Sequence, residues 1–168
     1  MMNNMNDMSR DVYLVQNPAI GAAILWRFVS GYYNMNSECR PVPFPLLFIT
    51  LPIIFREDLR DVISSTNKSS GLQKVSEKLF SSKHNDLFYS IQDSAFAYKE
   101  ITLLSIKIAL QAGLIDLSCK TALVAPLQVK THAFSTEIQN MLKSSEKLGA
   151  WCAPLSLHEI SILLKVRF

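Results

Sequence analysis

The chain has 168 residues, a length typical of a single domain, and 49% of them are hydrophobic. Charged residues make up 18%, below the usual share of about 25%, and the net charge is +3. This composition excludes a disordered tail, and so mild a positive charge does not by itself indicate nucleic-acid binding. It suits a folded domain that offers an apolar surface to a partner.

The cysteines and the polar N-terminus bear on the compartment. Cys39, Cys119 and Cys152 are widely spaced and form no C-x-x-C pair, which argues against a disulfide framework or a zinc site. The first residues lack the basic-then-apolar order of a signal peptide. The apolar runs are shorter than the roughly 20 residues needed to cross a bilayer. We therefore expect a cytoplasmic protein with no membrane partner.

The first predicted helix, over 18–33, is apolar on nearly every side. It begins after Asn17, a favoured N-cap residue, and has Pro18 at its first position, where the missing N–H costs nothing. Arg27 is its only charged residue. A helix of this kind is buried in a hydrophobic core or against another protein.

Four residues of this helix suit an interface hot spot. Trp26, Phe28 and Tyr32 are large aromatic residues, and Arg27 is the residue type favoured in interface ion pairs. We predict that these four residues contact a partner protein. A core would use the aromatic side chains equally well, and the arginine stem can pack along apolar surface while its head reaches water. Both interpretations stay open.

A second apolar element follows a loop over 34–45, which its Asn, Ser and Pro residues indicate. Residues 46–55 carry no charge. Their β-branched side chains favour a strand, whereas Pro52 disfavours a central strand and would kink a helix. We predict a helix over 46–55, with a strand as the alternative.

The middle of the chain reads as a series of helices. An amphipathic helix is predicted over 56–63, a turn over 66–71 and a second helix over 72–80, where apolar residues recur with a helical period. A long helix follows over 85–112. Apolar residues fill most of the circumference of its second half, so we predict that other elements cover it on several sides.

The sequence pattern changes from that of a helix to that of short strands after Gly113. This glycine is predicted to end the long helix. Residues 114–125 are predicted to form two short strands around a central turn. Capping boxes that begin at Thr136 and Ser156 predict two further helices, and the first of these is predicted to end at Gly149.

These elements predict a fold that is mainly α with a small β-hairpin. Two short helices, a long helix and a hairpin over 56–125 match the order of a winged helix. We therefore predict a winged-helix-like core with additional N-terminal and C-terminal helices. Residues 1–10 are predicted to be disordered, and residues 11–168 to form this single domain.

No motif in the chain indicates catalysis. Its five glycines form neither a nucleotide-binding loop nor the nucleophile elbow of a hydrolase, and its three histidines lie far apart. Cys152 stands between Trp151 and Ala153, an apolar setting that would raise its pKa and make it unreactive. We predict a protein that is not an enzyme, with no catalytic residue, metal site, cofactor or small-molecule substrate.

Lysines are the one polar signal. Lys74, Lys78 and Lys83 are opposed by Glu77 alone, and Lys120 falls at the tip of the predicted hairpin. One interpretation is that these four lysines contact DNA phosphates, an interaction that salt weakens. The other is an ordinary solvated face. The cluster has no arginine of the kind that reads bases.

Several segments resemble a known family. The strongest is Asn17-Pro-Ala-Ile-Gly-Ala-Ala-Ile-Leu-Trp-Arg-Phe-Val-Ser-Gly-Tyr32, and the likeness continues through Phe44–Phe55, Ile106–Leu117 and Leu163–Arg167. At the position of Lys165 the family often has glycine. Together these segments resemble the middle component of bacterial three-component ABC systems, which is similar to the small subunit of Lamassu-type defence systems.

The resemblance implies a non-catalytic adaptor beside an SMC-like ABC ATPase and an effector, often a nuclease, in defence against phage or plasmid DNA. It implies no catalytic residues. The leading hypothesis is therefore an adaptor that bridges the ATPase and the effector and meets DNA through the complex. The alternative is a stand-alone winged-helix DNA-binding regulator, whose binding to duplex DNA would weaken steeply with salt.

Overall fold

The computed structural model describes residues 17–35, 37–81, 85–130 and 133–168. These residues are mainly α-helical with one small antiparallel sheet, which confirms the predicted fold class. The helices are α1 (Pro18–Met35), α2 (Leu47–Phe55), α3 (Glu57–Ser64), α4 (Gly71–Phe80), α5 (Asn85–Ala97), α6 (Lys99–Gln111), α7 (Thr136–Cys152) and α8 (Leu157–Leu164). The strands are β1 (Val42–Pro43), β2 (Ile115–Ser118) and β3 (Leu123–Pro126). The predicted disorder of residues 1–10 lies outside the described residues.

α1 lies at the centre of the fold, packed against α7 and α6. The side-chain oxygen of Asn17 caps it by accepting the backbone N–H of Ala19 at 2.9 Å. The buried side chains of α1 belong to a hydrophobic cluster that includes residues from Ala22 to Val166. A helix that is apolar on every side is buried either in the core of its own chain or against another protein, and α1 lies in the core of its own chain.

The uncharged run after the loop folds as α2, which confirms the helix prediction. A short 3₁₀ segment, Phe44–Leu46, precedes it. Every residue of α2 except Phe48 is buried, and the Thr50 hydroxyl is satisfied because it donates to the Leu46 carbonyl at 3.0 Å. Within the described ranges no helix combines the length and apolar character needed to cross a membrane.

The sheet has three strands rather than two. β2 and β3 confirm the predicted hairpin, and Gly113 ends α6 with a φ of 65°. β1 lies within the segment predicted as a loop and pairs antiparallel with β3, so that Val42 stands opposite Val124. A strand of two residues that includes Pro43 carries no alternating pattern, so the sequence does not indicate it.

The hairpin packs against α1, α6 and β1, whereas α3 and α4 pack mainly against α2, α5, α7 and α8. The short helices that the winged-helix prediction joins to the hairpin are therefore integrated with the other helices of the fold. This packing does not confirm a winged-helix-like core over 56–125, which stays a prediction.

The predicted single helix over 85–112 is wrong, because the structure divides it into α5 and α6 at Tyr98. Tyr98 has a ψ of 3°, outside the α-helical range. Its ring stacks on Phe55 of α2, with the two centroids 6.0 Å apart. The break therefore lies where the chain packs an aromatic side chain against α2.

Both predicted ends of α7 also need correction. The N-cap is Ser135, whose hydroxyl accepts the Ile138 N–H, so Thr136 is already helical. At the other end, α7 continues past Gly149 to Cys152. Gly149 is there because the backbone of α1 leaves no room for a side chain, not because the helix ends.

The predicted capping box at Ser156 is confirmed. Its hydroxyl accepts the Glu159 N–H at 3.2 Å, and the Glu159 carboxylate accepts the Ser156 N–H at 2.7 Å. The opposite end of α8 is closed by Lys165, which has the left-handed φ and ψ of 50° and 42°. The Val166 N–H donates to the Ser161 carbonyl at 3.1 Å, as in a Schellman motif.

We expect Lys165→Gly to raise the free energy of unfolding by about 1 kcal/mol, because the left-handed conformation strains residues with a Cβ. Urea denaturation followed by circular dichroism measures the change. Lys165→Ala is the matched control, since it removes the same long side chain and keeps the Cβ. Equal stability of the two variants would show that no left-handed penalty exists at this position.

Candidate partner-binding surface

The aromatic residues predicted to bind a partner lie in the core. Phe28 is fully buried, and Trp26 and Tyr32 are each 7% exposed. The Trp26 indole N–H donates to the Leu127 carbonyl at 3.0 Å, so even its polar atom is used within the chain. These three side chains offer no surface to a partner in the folded chain, and the prediction that they anchor one is corrected accordingly.

Arg27 is half-buried and is held by its own chain. Its guanidinium lies 4.8 Å from the centre of the Trp26 ring, and Nη1 lies 3.4 Å from a carboxylate oxygen of Glu146 on α7. Its Nε is buried without an acceptor among the described residues. Arg27 therefore joins α1 to α7.

The predicted phosphate contacts do not form one surface. Lys74 pairs with Glu77 at 2.8 Å, and Lys78 donates to the Thr66 hydroxyl at 2.9 Å. Lys120 is exposed in the hairpin turn, on an element whose main packing partners differ from those of α4. Lys83 lies outside the described residues.

Lys78 has a structural role at the end of α3, because its ammonium also donates to the Ser65 carbonyl at 3.3 Å. Beside it, the ammonium of Lys147 donates to the carbonyls of Ile63, Ser64 and Thr66 at 2.9 to 3.1 Å. Burial lowers the pKa of Lys147, and the positive charge of Lys78 lowers it further. The two cations bind the C-terminal carbonyls of a helix, the end at which the helix dipole favours positive charge.

Three exposed leucines lie on α6, away from the residues predicted to contact a partner. The sequence pattern did not indicate that they would be exposed. On α6, Leu103 is 45%, Leu104 46% and Leu110 37% exposed. α1, α2, α5 and β2 pack against α6 as predicted, but the prediction is wrong for the side that carries these leucines. We call this side of the helix the outer face of α6; it consists of Lys99, Glu100, Leu103, Leu104, Lys107, Leu110 and Gln111.

The inner side of α6 explains why its leucines point outward. Thr102, Ser105 and Ala109 are fully buried there. A Cβ on Gly21 of α1 would overlap the Ser105 hydroxyl, so the two helices approach closely through small residues. The signal available in the sequence is the spacing of Thr102, Ser105 and Ala109 along one face of the helix.

A second apolar feature begins beside α6. A groove of about 280 Å³ runs between the start of α2, the end of α5 and the last residues of the chain. We call it the aromatic groove; it is lined by Phe44, Pro45, Phe48, Ile49, Gln92, Ala95, Phe96, Lys99, Arg167 and Phe168. Phe44 and Phe48 meet edge to face at 5.5 Å, and Phe96 is 70% exposed. No Asp or Glu is among these lining residues.

A polar cleft of about 720 Å³ lies between α3 and α7. Glu57, Asp61 and Arg60 line it from α3, and Asn140 and Lys143 from α7. Because side chains of both charges face it, the cleft has no marked preference for anions or cations. In the parts of the chain that the structure describes, no three His, Cys, Asp or Glu side chains are grouped to hold a metal ion.

Cys152 is the buried cysteine, and burial raises the pKa of its thiol to about 12. Its thiolate is therefore scarce at neutral pH, and the thiolate is the reactive form. Cys39 and Cys119 are exposed, and none of the three forms a disulfide in the structure.

Comparison with protein families identifies the chain. The model of the family described as "ABC-three component (ABC-3C) system Middle Component 3" matches residues 5–168. Comparisons with curated proteins and with solved structures found no match. The family match covers nearly the whole chain, so this protein belongs to the Middle Component 3 family of ABC-three component systems and works with protein partners.

Proposed function

We propose that the chain is a non-catalytic adaptor that joins an SMC-like ABC ATPase to an effector nuclease in a Lamassu-type defence complex. In this role it helps to control the effector when foreign DNA is present. Membership of a middle-component family supports the protein partners. Differential contacts with the ATPase in its two states would allow it to release or restrain the effector.

The aromatic groove is the observation that carries this proposal. Exposed aromatic side chains in a concave apolar setting are typical of interface hot spots. Lys99 and Arg167 are exposed cations in its lining. The groove therefore fits a segment of another component that carries an apolar side chain next to a carboxylate.

Co-expression tests the adaptor role directly. The chain is produced together with the products of the genes on either side of its own, as candidates for the ATPase and the effector, and the assembly is measured by size-exclusion chromatography with light scattering. We expect a stable complex that contains all three components. A chain that binds neither of the other components would contradict the adaptor function.

Phe96→Asp tests the groove. Because Phe96 is 70% exposed, its replacement costs the fold little, whereas a buried carboxylate opposes docking of an apolar segment. We expect at least about a tenfold loss of affinity for one component, the change that 1.4 kcal/mol produces. Ile162→Asp is the control, because Ile162 is also an exposed apolar residue and lies outside the groove. Equal binding by the two variants would place the interface elsewhere.

A further inference from the structure

The outer face of α6 carries two charged side chains that have no polar partner in the part of the chain that the structure describes. Glu100 and Lys107 are both exposed, and neither side chain makes a hydrogen bond or ion pair with any of the described residues. Seven residues of helix separate them by about 10 Å along the axis, which is too far for them to pair with each other. At about 100° per residue, both point in nearly the same direction.

Leucines lie between these two charges. Leu103 and Leu104 occupy the middle of the seven-residue interval, one on each side of the line that joins Glu100 to Lys107. The four positions are thus symmetric about the point between the two leucines, in sequence and in direction around the helix. A two-fold axis through that point exchanges Glu100 with Lys107 and Leu103 with Leu104.

We propose that a second copy of this chain docks on the outer face of α6, with the two α6 helices antiparallel. Glu100 of each copy then lies opposite Lys107 of the other, which gives two equivalent ion pairs. Between them, Leu103 of each copy packs beside Leu104 of the other. An interface of this kind is isologous, since the same patch serves both subunits.

Charge complementarity favours a second copy over an unrelated helix. An unrelated partner would have to present an acid and a base at the matching interval and in the opposite order, together with apolar residues between them. The second copy supplies all of these by its own sequence. The leucines exclude water from the centre of the interface, and the charged pairs fix the antiparallel register.

Charge reversal tests this arrangement on the 168-residue chain. Sedimentation velocity and light scattering over a wide range of concentration are expected to show a monomer–dimer equilibrium for the native chain. Glu100→Lys and Lys107→Glu each create two repulsive pairs, so each is expected to weaken dimerisation at least about tenfold. Lys120→Glu, a charge reversal in the hairpin turn, is the control and is expected to dimerise normally.

Mixing the two variants separates an interface effect from a folding defect. One variant presents two lysines and the other two glutamates, so a one-to-one mixture is expected to form a heterodimer. The double variant Glu100→Lys/Lys107→Glu is expected to dimerise by itself. A native chain that stays monomeric, or variants that dimerise alone as well as the native chain does, would overturn the proposal.

Discussion

Gly149→Ala is expected to lower the free energy of unfolding by about 3 kcal/mol, the upper end of the usual cost of overpacking. A Cβ at position 149 would overlap the backbone carbonyl of Phe28 on α1. A backbone carbonyl within a helix cannot move out of the way without the rest of the helix, so α1 and α7 would have to separate. Helix propensity alone predicts the opposite sign, because alanine is favoured over glycine in a helix by about 1 kcal/mol.

Chemical denaturation followed by circular dichroism measures the effect. Lys143→Ala, at an exposed position of the same helix, is the control and is expected to change stability by less than about 0.5 kcal/mol. Gly31 faces the same crossing, where a Cβ would overlap the Glu146 carbonyl. Gly31→Ala and Gly149→Ala are therefore expected to cost less together than the sum of their separate costs, since one separation of the helices accommodates both. A Gly149→Ala variant as stable as the native chain would contradict the close crossing.

Phe28→Ala is the second large effect, with an expected loss of about 3–5 kcal/mol. The ring is fully buried in the core, and its removal leaves a cavity that helices packed on both sides cannot fill. Met35→Ala, at the exposed end of α1, is the control and is expected to be close to neutral.

The Cys152 thiol provides a direct readout of this loss. It is buried in the native chain, so a thiol reagent reaches it only when the structure opens. We expect Phe28→Ala to increase the rate of Cys152 labelling, while Cys39 and Cys119 react quickly in both proteins. Unchanged labelling of Cys152 together with an unchanged denaturation midpoint would show that Phe28 is not part of the core.

This second prediction also changes how an interface on α1 is tested. Replacing Trp26 and Arg27 together would remove a core side chain and the ion pair to Glu146. Loss of a complex by such a variant would report unfolding rather than a lost contact. Substitutions at exposed positions such as Phe96, Glu100 and Lys107 avoid that ambiguity.

Local signals in the sequence predicted most of the helices. Asn17 and the Ser156 capping box mark helix starts through side-chain hydrogen bonds to the first N–H groups, and Gly113 marks an end because it adopts a positive φ. These interactions involve residues close in sequence, so the chain alone reveals them. The position of Gly149 depends instead on a helix more than a hundred residues away, and no local pattern carries that information.

The sequence pattern did not predict the exposed leucines on the outer face of α6, for a related reason. Hydrophobic periodicity assumes that leucines face the core, and α6 buries Thr102 and Ser105 instead. Small residues are placed inward because Gly21 brings α1 close to them. Similarly, an all-apolar helix fits a core and an interface equally well, and only the packing of α7 on α1 decides between the two.

The pairing of α1 with α7 also affects how the protein is made. Arg27 and Glu146, which join the two helices, are 119 residues apart in sequence. At a synthesis rate of about 5–20 residues per second, roughly 6–24 s pass between the synthesis of α1 and that of α7, its main packing partner. During that interval the side of α1 that packs against α7 in the folded protein is not covered by its own chain. This helix has almost no polar face. The yield of folded protein should therefore depend on synthesis rate, temperature and the supply of chaperones that bind apolar segments as they leave the ribosome.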